Sequence, residues 1–228
     1  SINTERQSEF RDSFDEQHLH KIWQTCYQVI RPEKNLGYGS GHNLAIKSRC
    51  DNFHLIVNPD VIVDPDAFIE CIRYLQAHPS VGVATPLCHS PTGQQEFLNK
   101  SYPSVFVLLL RGFAPQFIKN YFKRSIQAYE LSDQPITPRN DIKIASGCFM
   151  FFRKAALVAA EGFCEVFFLY FEDFDLSMRL LNNWQIAFVP KAKIIHYGGK
   201  SAKKGFKHIL MFIRSARLFF SRHGWRFW

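Results

Sequence analysis

Three carboxylates, Glu172, Asp173 and Asp175, fall within four positions of a run that is otherwise aromatic and aliphatic. Phe167-Phe168-Leu169-Tyr170-Phe171 precedes them, and Leu176, Met178 and Leu180 follow. Packing acids among large apolar side chains strips away water. This raises the pKa of at least one and readies it to take a proton near neutral pH. The same residues also fit the start of a helix, with Phe171, Phe174, Leu176, Leu180 and Leu181 on a buried face and the acids at its positive end. Residue types alone leave the two readings level, so other segments must decide.

Leu55-Ile56-Val57-Asn58-Pro59-Asp60 places an acid just after an apolar strand, where α/β sheets bind ligands. A carboxylate there can hold a divalent cation whose other positions are filled by diphosphate oxygens and water, although an Asp in a turn after Pro is also common. His196 likewise ends an apolar strand before Gly198 and Gly199, and gains a chemical role only where it faces Asp60. Gly37, Gly39 and Gly41, between Asn35 and Asn43, could let a backbone approach an anionic ligand at a helix N-terminus. A plain tight turn explains them equally simply.

These residues need a scaffold, and the pattern predicts one. A helix is expected over Gln17 to Cys26 and a strand over Tyr27 to Ile30, followed by a helix carrying Leu44, Ala45 and Ile46. Strands are expected at Phe53 to Val57 and Val81 to Thr85, around a helix opened by Asp64-Pro65-Asp66 and closed at His78-Pro79. Pro103 to Leu131 reads as irregular helix, Ile142 to Phe152 as an interrupted strand, and Lys154 to Ala160 as a short helix. Ile186 to Val189 and Lys193 to His196 read as two short strands. The order predicts an α/β domain on a mostly parallel sheet over residues 1–200. Residues 201–228 carry a basic amphipathic helix, with Phe206, Ile209, Leu210, Ile213, Ala216 and Phe220 on one face. Its composition favours partial contact with an anionic membrane surface.

With 46% hydrophobic residues in 228, the chain can fill one sizeable core, and its 23 Phe exceed what a polar binding module needs. Lys and Arg outnumber Asp and Glu by 28 to 20, and no acid occurs from Lys191 to Arg226, a field that attracts phosphates. Six well-separated Cys without a Cys-x-x-Cys pattern read as reduced core thiols of a cytosolic protein. No apolar run reaches the roughly 20 residues of a membrane span.

Five ordered segments carry a resemblance: Asn35 to Asn43, Asn58-Pro59-Asp60, Ala145 to Met150, Gly162 to Arg179 with its Glu-Asp-x-Asp-Leu core, and Ile194 to His196. Together they resemble the family-2 glycosyltransferases, most of all those of rhamnosyltransferase type from bacterial polysaccharide and O-antigen assembly. The resemblance implies a GT-A fold, with a nucleotide-sugar donor (dTDP- or UDP-sugar), Mg2+ or Mn2+, and inversion at the anomeric carbon. It implies a lipid-linked glycan acceptor and a peripheral position at the cytoplasmic face of the plasma membrane. Asn35, Gly37, Gly41, Asn43, Asn58 and Asp60 would then hold the donor, and Asp60 with His196 the metal. Asp173 or the adjacent Glu172 would be the base, and Ser146 and Gly147 would border the acceptor. Asp175 is expected to cap or brace a helix. Relative to the family, a strand-helix-strand of roughly 30 residues is expected to be missing ahead of Ser1, so donor binding by this chain is expected to be poor.

Two other classes compete. A non-catalytic remnant or accessory protein would keep the fold and the membrane-binding helix. A nucleic-acid-binding domain would fit the isoelectric point of about 9.2, but it explains neither Asn58-Pro59-Asp60 nor the Glu172-Asp173 segment. No nucleic-acid partner is expected.

Overall fold

The structure, a computed structural model, describes residues 29–46, 52–198 and 205–228. The chain divides into two compact units, residues 1–34 and 35–228. Of the first, only 29–34 are described: they are exposed and carry neither helix nor strand, so Val29 and Ile30 do not extend the strand expected there. The helix expected over Gln17 to Cys26 lies outside the described residues.

In the second unit the sheet is built around β3 (Val81–His89), eight of whose nine residues are buried. The strand order is β1 (Phe53–Val57), β5 (Phe149–Arg153), β3, β6 (Gln185–His196), β2 (Val61–Val63), with β4 (Gln95–Glu96) also on β3. Side chains alternate between two apolar layers, as strand geometry requires. Met150 and Phe152 pack with Val83, Ile56, Leu176 and Leu180 on one face. Phe149 and Phe151 pack with Ala84, Ala187 and Leu75 on the other. That second face is covered by α2 (Ala67–Ala77), whose Ala67, Cys71 and Leu75 recur every four residues as a buried stripe. Asp64 starts this helix by accepting the N–H of Asp66 on its side chain at 3.0 Å.

The α/β architecture is the expected one, but the sheet is mixed where a mostly parallel one is expected. Of the described strands only β3 and β6 pair with each other in parallel, while β1–β5, β3–β5, β3–β4 and β2–β6 are antiparallel. Parallel neighbours require the chain to cross back to the other end of the sheet. The long excursion after β3 instead returns at the end where β3 left, because Ala84 faces Phe151 and Val83 faces Phe152. The two short strands expected over 186–196 are one strand, whose register on β3 jumps from Val189 to Lys193 around Pro190, which has no N–H to donate. Regular pairing of the strand expected from Ile142 begins only at Phe149, although Lys100 and Ile144 exchange both backbone hydrogen bonds.

The excursion contains α3 (Val105–Phe113), α4 (Gln116–Tyr121) and α5 (Lys123–Glu130), broken at Ala114-Pro115 and at Phe122. After β5 come α6 (Lys154–Ala159) and α7 (Glu172–Leu180), and after β6 comes α8 (Phe206–His223). Residues 205–228 pack within the same unit as the sheet. Phe219 and Phe220 are buried against Phe167 and Phe171, and full burial of such a ring contributes about 2 kcal/mol. The carboxylate of Asp175, fully enclosed, accepts hydrogen bonds from Arg179 (2.8 Å), Arg222 (3.2 Å) and His223 (2.8 Å). The expected bracing acid thus ties α7 to the end of α8. No helix among the described residues is long and apolar enough to cross a membrane.

Candidate active site

The tripeptide Ser146–Cys148, just before β5, joins the two regions that the sequence marks as chemical. On one flank, the Asn58 N–H donates to the Cys148 carbonyl at 3.0 Å. This fixes the turn that carries Asp60 from the end of β1. On the other, the Gly147 N–H donates to Asp173 Oδ2 at 2.9 Å. Between them the Tyr38 hydroxyl, from α1 (Tyr38–Ile46), donates to the Gly147 carbonyl at 2.6 Å. A Cβ at Gly147 would lie 2.9 Å from the Tyr38 hydroxyl, so the position has room for glycine only. The charges of Asp60 and Asp173 both act on Tyr38, whose phenol is pushed above its ordinary pKa first by burial and then by Asp173 and Glu172.

Asp173 and Glu172 open α7 directly after Tyr170 (φ +69°) and Phe171 (φ +64°), two non-glycine residues in the left-handed region. Strain of that kind persists only where packing imposes it, and it accumulates at functional sites. Here the aromatic cluster around Phe171 supplies the packing and the turn aims both acids. Glu172 is buried, and its Oε2 has no hydrogen-bond partner. Burial, then the adjacent Asp173 charge, pushes its pKa up to about 8. Asp173 is also raised by burial, but the N–H groups of Gly147 and Phe174 oppose the rise by bonding its ionised form. Both carboxyls are pushed up by burial, and the two N–H groups favour the ionised form of Asp173.

At the other end, Asp60 Oδ2 lies 3.6 Å from His196 Nε2, and Asp60 Oδ1 is enclosed without a hydrogen-bond partner. His196 Nδ1 lies 2.9 Å from Glu96 Oε2. With that proton donated to Glu96, the Nε2 lone pair would face the Asp60 carboxylate, an arrangement that could accept a cation. Glu96 escaped the sequence reading. It lies on a two-residue strand, and only the antiparallel pairing with Cys88 brings it to His196.

The contacts of the glycine-rich segment are those of a tight turn and a helix anchor. Gly37 is left-handed (φ +86°), and any side chain there would collide with the Phe168 carbonyl. Asn35 accepts the Gly37 N–H at 2.9 Å and so closes the turn. Gly41 sits within α1, exposed and with open space beside it. Asn43 is buried and spends its amide on the Phe163 backbone, donating to its carbonyl and accepting its N–H, each at 2.9 Å. Asn43 thus fastens α1 to the segment leading into α7, and its amide nitrogen also donates to Glu165 Oε1 at 3.2 Å. Ser146 accepts the Cys148 N–H on its hydroxyl at 3.3 Å. A cleft of about 820 Å³ opens from Glu172 and Asp173 towards α3, α4 and α5.

Residues 15–210 match the sequence model of the family described as "Glycosyltransferase like family 2". The chain is 26% identical over 207 residues to the N-acetylglucosaminyl-diphospho-decaprenol L-rhamnosyltransferase of Mycobacterium tuberculosis, with 84% of this chain and 66% of that protein covered. It is 24% identical over 172 residues to the rhamnosyltransferase WbbL of Escherichia coli, covering 71% and 61%. The chain thus spans just under two thirds of the length of these curated relatives. The fold is similar to a crystal structure of GalNAc-T7 with UDP, GalNAc and Mn2+ (TM-score 0.56, 11% identity, 79% of this chain and 33% of that one). It is also similar to S. aureus TarS in complex with UDP-GlcNAc (TM-score 0.54, 17% identity, 91% and 54%).

Proposed function

The chain belongs to glycosyltransferase-like family 2, and from that membership we propose that it moves a sugar, rhamnose or another hexose, from a dTDP- or UDP-sugar to a lipid-linked or growing glycan in cell-surface polysaccharide synthesis. The observation that carries this reading is the Ser146–Cys148 bridge. It holds Asp173 and the turn that carries Asp60 on two flanks of one segment. The names of the two rhamnosyltransferase relatives support the class of reaction.

In the proposed reaction the acceptor hydroxyl gives its proton to Asp173 as its oxygen attacks the anomeric carbon. The bond to the acceptor oxygen forms while the bond to the departing nucleoside diphosphate breaks on the opposite side, which inverts the carbon. Glu172, neutral at this pH, adds no second charge beside the base. Tyr38 holds Gly147 and, through it, the direction of Asp173. Asp60 and His196 fit a divalent ion, Mg2+ or Mn2+, because an enclosed carboxylate oxygen without a partner and an imidazole nitrogen meet there. When bound, such an ion neutralises charge growing on the diphosphate. Glu96 orients His196 towards it.

We place the protein at the inner face of the plasma membrane, held peripherally. Exposed Phe206, Leu210 and Ile213 on α8 and the acid-free, basic C-terminal stretch support this. The direct test is transfer from dTDP-rhamnose to a lipid-diphosphate-linked N-acetylglucosamine with Mn2+ or Mg2+, with and without chelator. Absence of transfer from every dTDP- and UDP-sugar tried would overturn the reading.

A further inference from the structure

Cys88, Glu96 and His196 come together from three neighbouring strands. Cys88 of β3 lies opposite Glu96 across the antiparallel pair with β4, and opposite Ile194 across the parallel pair with β6. His196 follows Ile194 by two positions, so its side chain leaves the same face of β6. The result is a thiol, a carboxylate and an imidazole whose ligand atoms all lie within 4.8 Å of one another. They converge on one atom. The Cys88 thiol donates to Glu96 Oε2 at 3.8 Å, and His196 Nδ1 lies 2.9 Å from the same oxygen. A thiol proton and an imidazole proton aimed at a single carboxylate oxygen can be replaced together by one metal ion. Ligands bound at about 2.0–2.3 Å to a tetrahedral ion stand about 3.3–3.8 Å apart, so separations of 2.9 and 3.8 Å need only small side-chain shifts. Cys88 is buried at the back of the group, while the side chains of Glu96 and His196 are 36% and 19% exposed, so an ion enters from their side and keeps a water as its fourth ligand. The sulfur selects a thiophilic ion over Mg2+ or Mn2+.

We propose that Cys88, Glu96 and His196 form a second metal site, for Zn2+, and that Zn2+ there withdraws His196 from the ion assigned to Asp60. As Zn2+ binds, the thiol proton of Cys88 leaves to solvent and the imidazole proton moves from Nδ1 to Nε2. Nε2 then points an N–H at Asp60 Oδ2, 3.6 Å away, in place of a lone pair. One imidazole thus serves one ion at a time, and Zn2+ acts as an inhibitor. The Zn2+ site stands without the transferase reading; only the antagonism with the ion at Asp60 rests on it.

Co2+ is the probe, because a thiolate bound to it absorbs in the near ultraviolet. Titration of the full chain with Co2+ should give that band, Zn2+ should bleach it, and Mg2+ at the same concentration should not. Cys88→Ser should abolish the band, while Cys164→Ser, in the aromatic cluster around Phe171, should keep it. Glu96 stands on the open side, so Glu96→Gln probes the site without touching the core, and Co2+ affinity should fall at least about tenfold. Mn2+ affinity, read from the electron-spin-resonance signal of the free ion, should fall about tenfold in the Zn2+-loaded parent and stay constant in Cys88→Ser with and without Zn2+. The proposal is overturned if Co2+ gives no thiolate band, if the band survives in Cys88→Ser, or if Glu96→Gln binds Co2+ like the parent. It is equally overturned if Zn2+ leaves Mn2+ affinity unchanged in the parent, or lowers it as much in Cys88→Ser. A Zn2+-free chain that binds no Mn2+ while the Co2+ band is intact would count against the Asp60–His196 reading alone.

Discussion

The two ends of the site are held by different physics. Asp60, Glu96 and His196 stand on strands or strand ends, and backbone register sets their positions: Val61 faces His196 and Cys88 faces Glu96 across antiparallel pairs. Glu172 and Asp173 stand at the start of a nine-residue helix, placed by aromatic packing, two left-handed residues and one glycine N–H. A register resists small changes because every ladder bond must shift together. A packed turn depends on a few side chains, some from α8 far along the chain. The cation end should therefore tolerate loss of an accessory group better than the acceptor end.

The largest effect is expected at the base. Asp173→Asn keeps the size of the side chain and removes its proton affinity. Turnover should fall about 1000-fold, with nucleotide affinity and circular dichroism unchanged. Turnover retained in that variant removes Asp173 from the role of base.

Next comes the brace behind the acceptor end. Asp175→Asn leaves Arg222, His223 and Arg179 around a neutral amide, which should cost about 3 kcal/mol in urea unfolding. A stability loss within experimental error would show that α8 is held by Phe219 and Phe220 alone.

Glu172 sharpens the comparison through pH. Its pKa rises from 4.5 unfolded to about 8 folded. The folded state therefore binds more protons than the unfolded one between these values. The contribution of Glu172 to stability is whole below about 4.5 and declines as pH rises towards 8. Glu172→Gln removes that decline, so the variant should gain several kcal/mol relative to the parent between about pH 5 and about pH 8.5, about 5 kcal/mol for the full shift. Equal pH dependence in the two proteins would mean that Glu172 is ionised throughout.

The smallest effect belongs to the cation end. Glu96→Gln keeps a hydrogen-bond acceptor for His196 Nδ1 and loses only charge, so Mn2+ affinity by titration should fall about tenfold. A loss as large as that from Asp60→Asn would make Glu96 a direct ligand and undo the contrast between the two ends.

Much of the site was legible before folding because its signals are local. Acids inside an aromatic run announce desolvation, an Asp after an apolar strand and a Pro announces a strand-end turn, and a His before glycines announces another strand end. The structural work of the glycine-rich segment was less legible: Gly37 and Asn35 satisfy backbone geometry, while Asn43 bonds Phe163, 120 positions away. The direction of β5, one strand where two were expected over 186–196, and the partner of His196 depend on pairings between distant segments, which period and composition do not encode.

By itself, the order of residues determined that this protein would place buried carboxylates at a helix start and another acid at a strand end, since burial and turn chemistry follow from neighbours in the chain. Only the tertiary structure decided that a glycine N–H from 26 positions upstream favours the ionised form of Asp173, and that Glu96 pairs with His196 across 100 positions. Proton affinity and metal geometry are set by the groups that surround an atom in space, and folding alone assembles those groups.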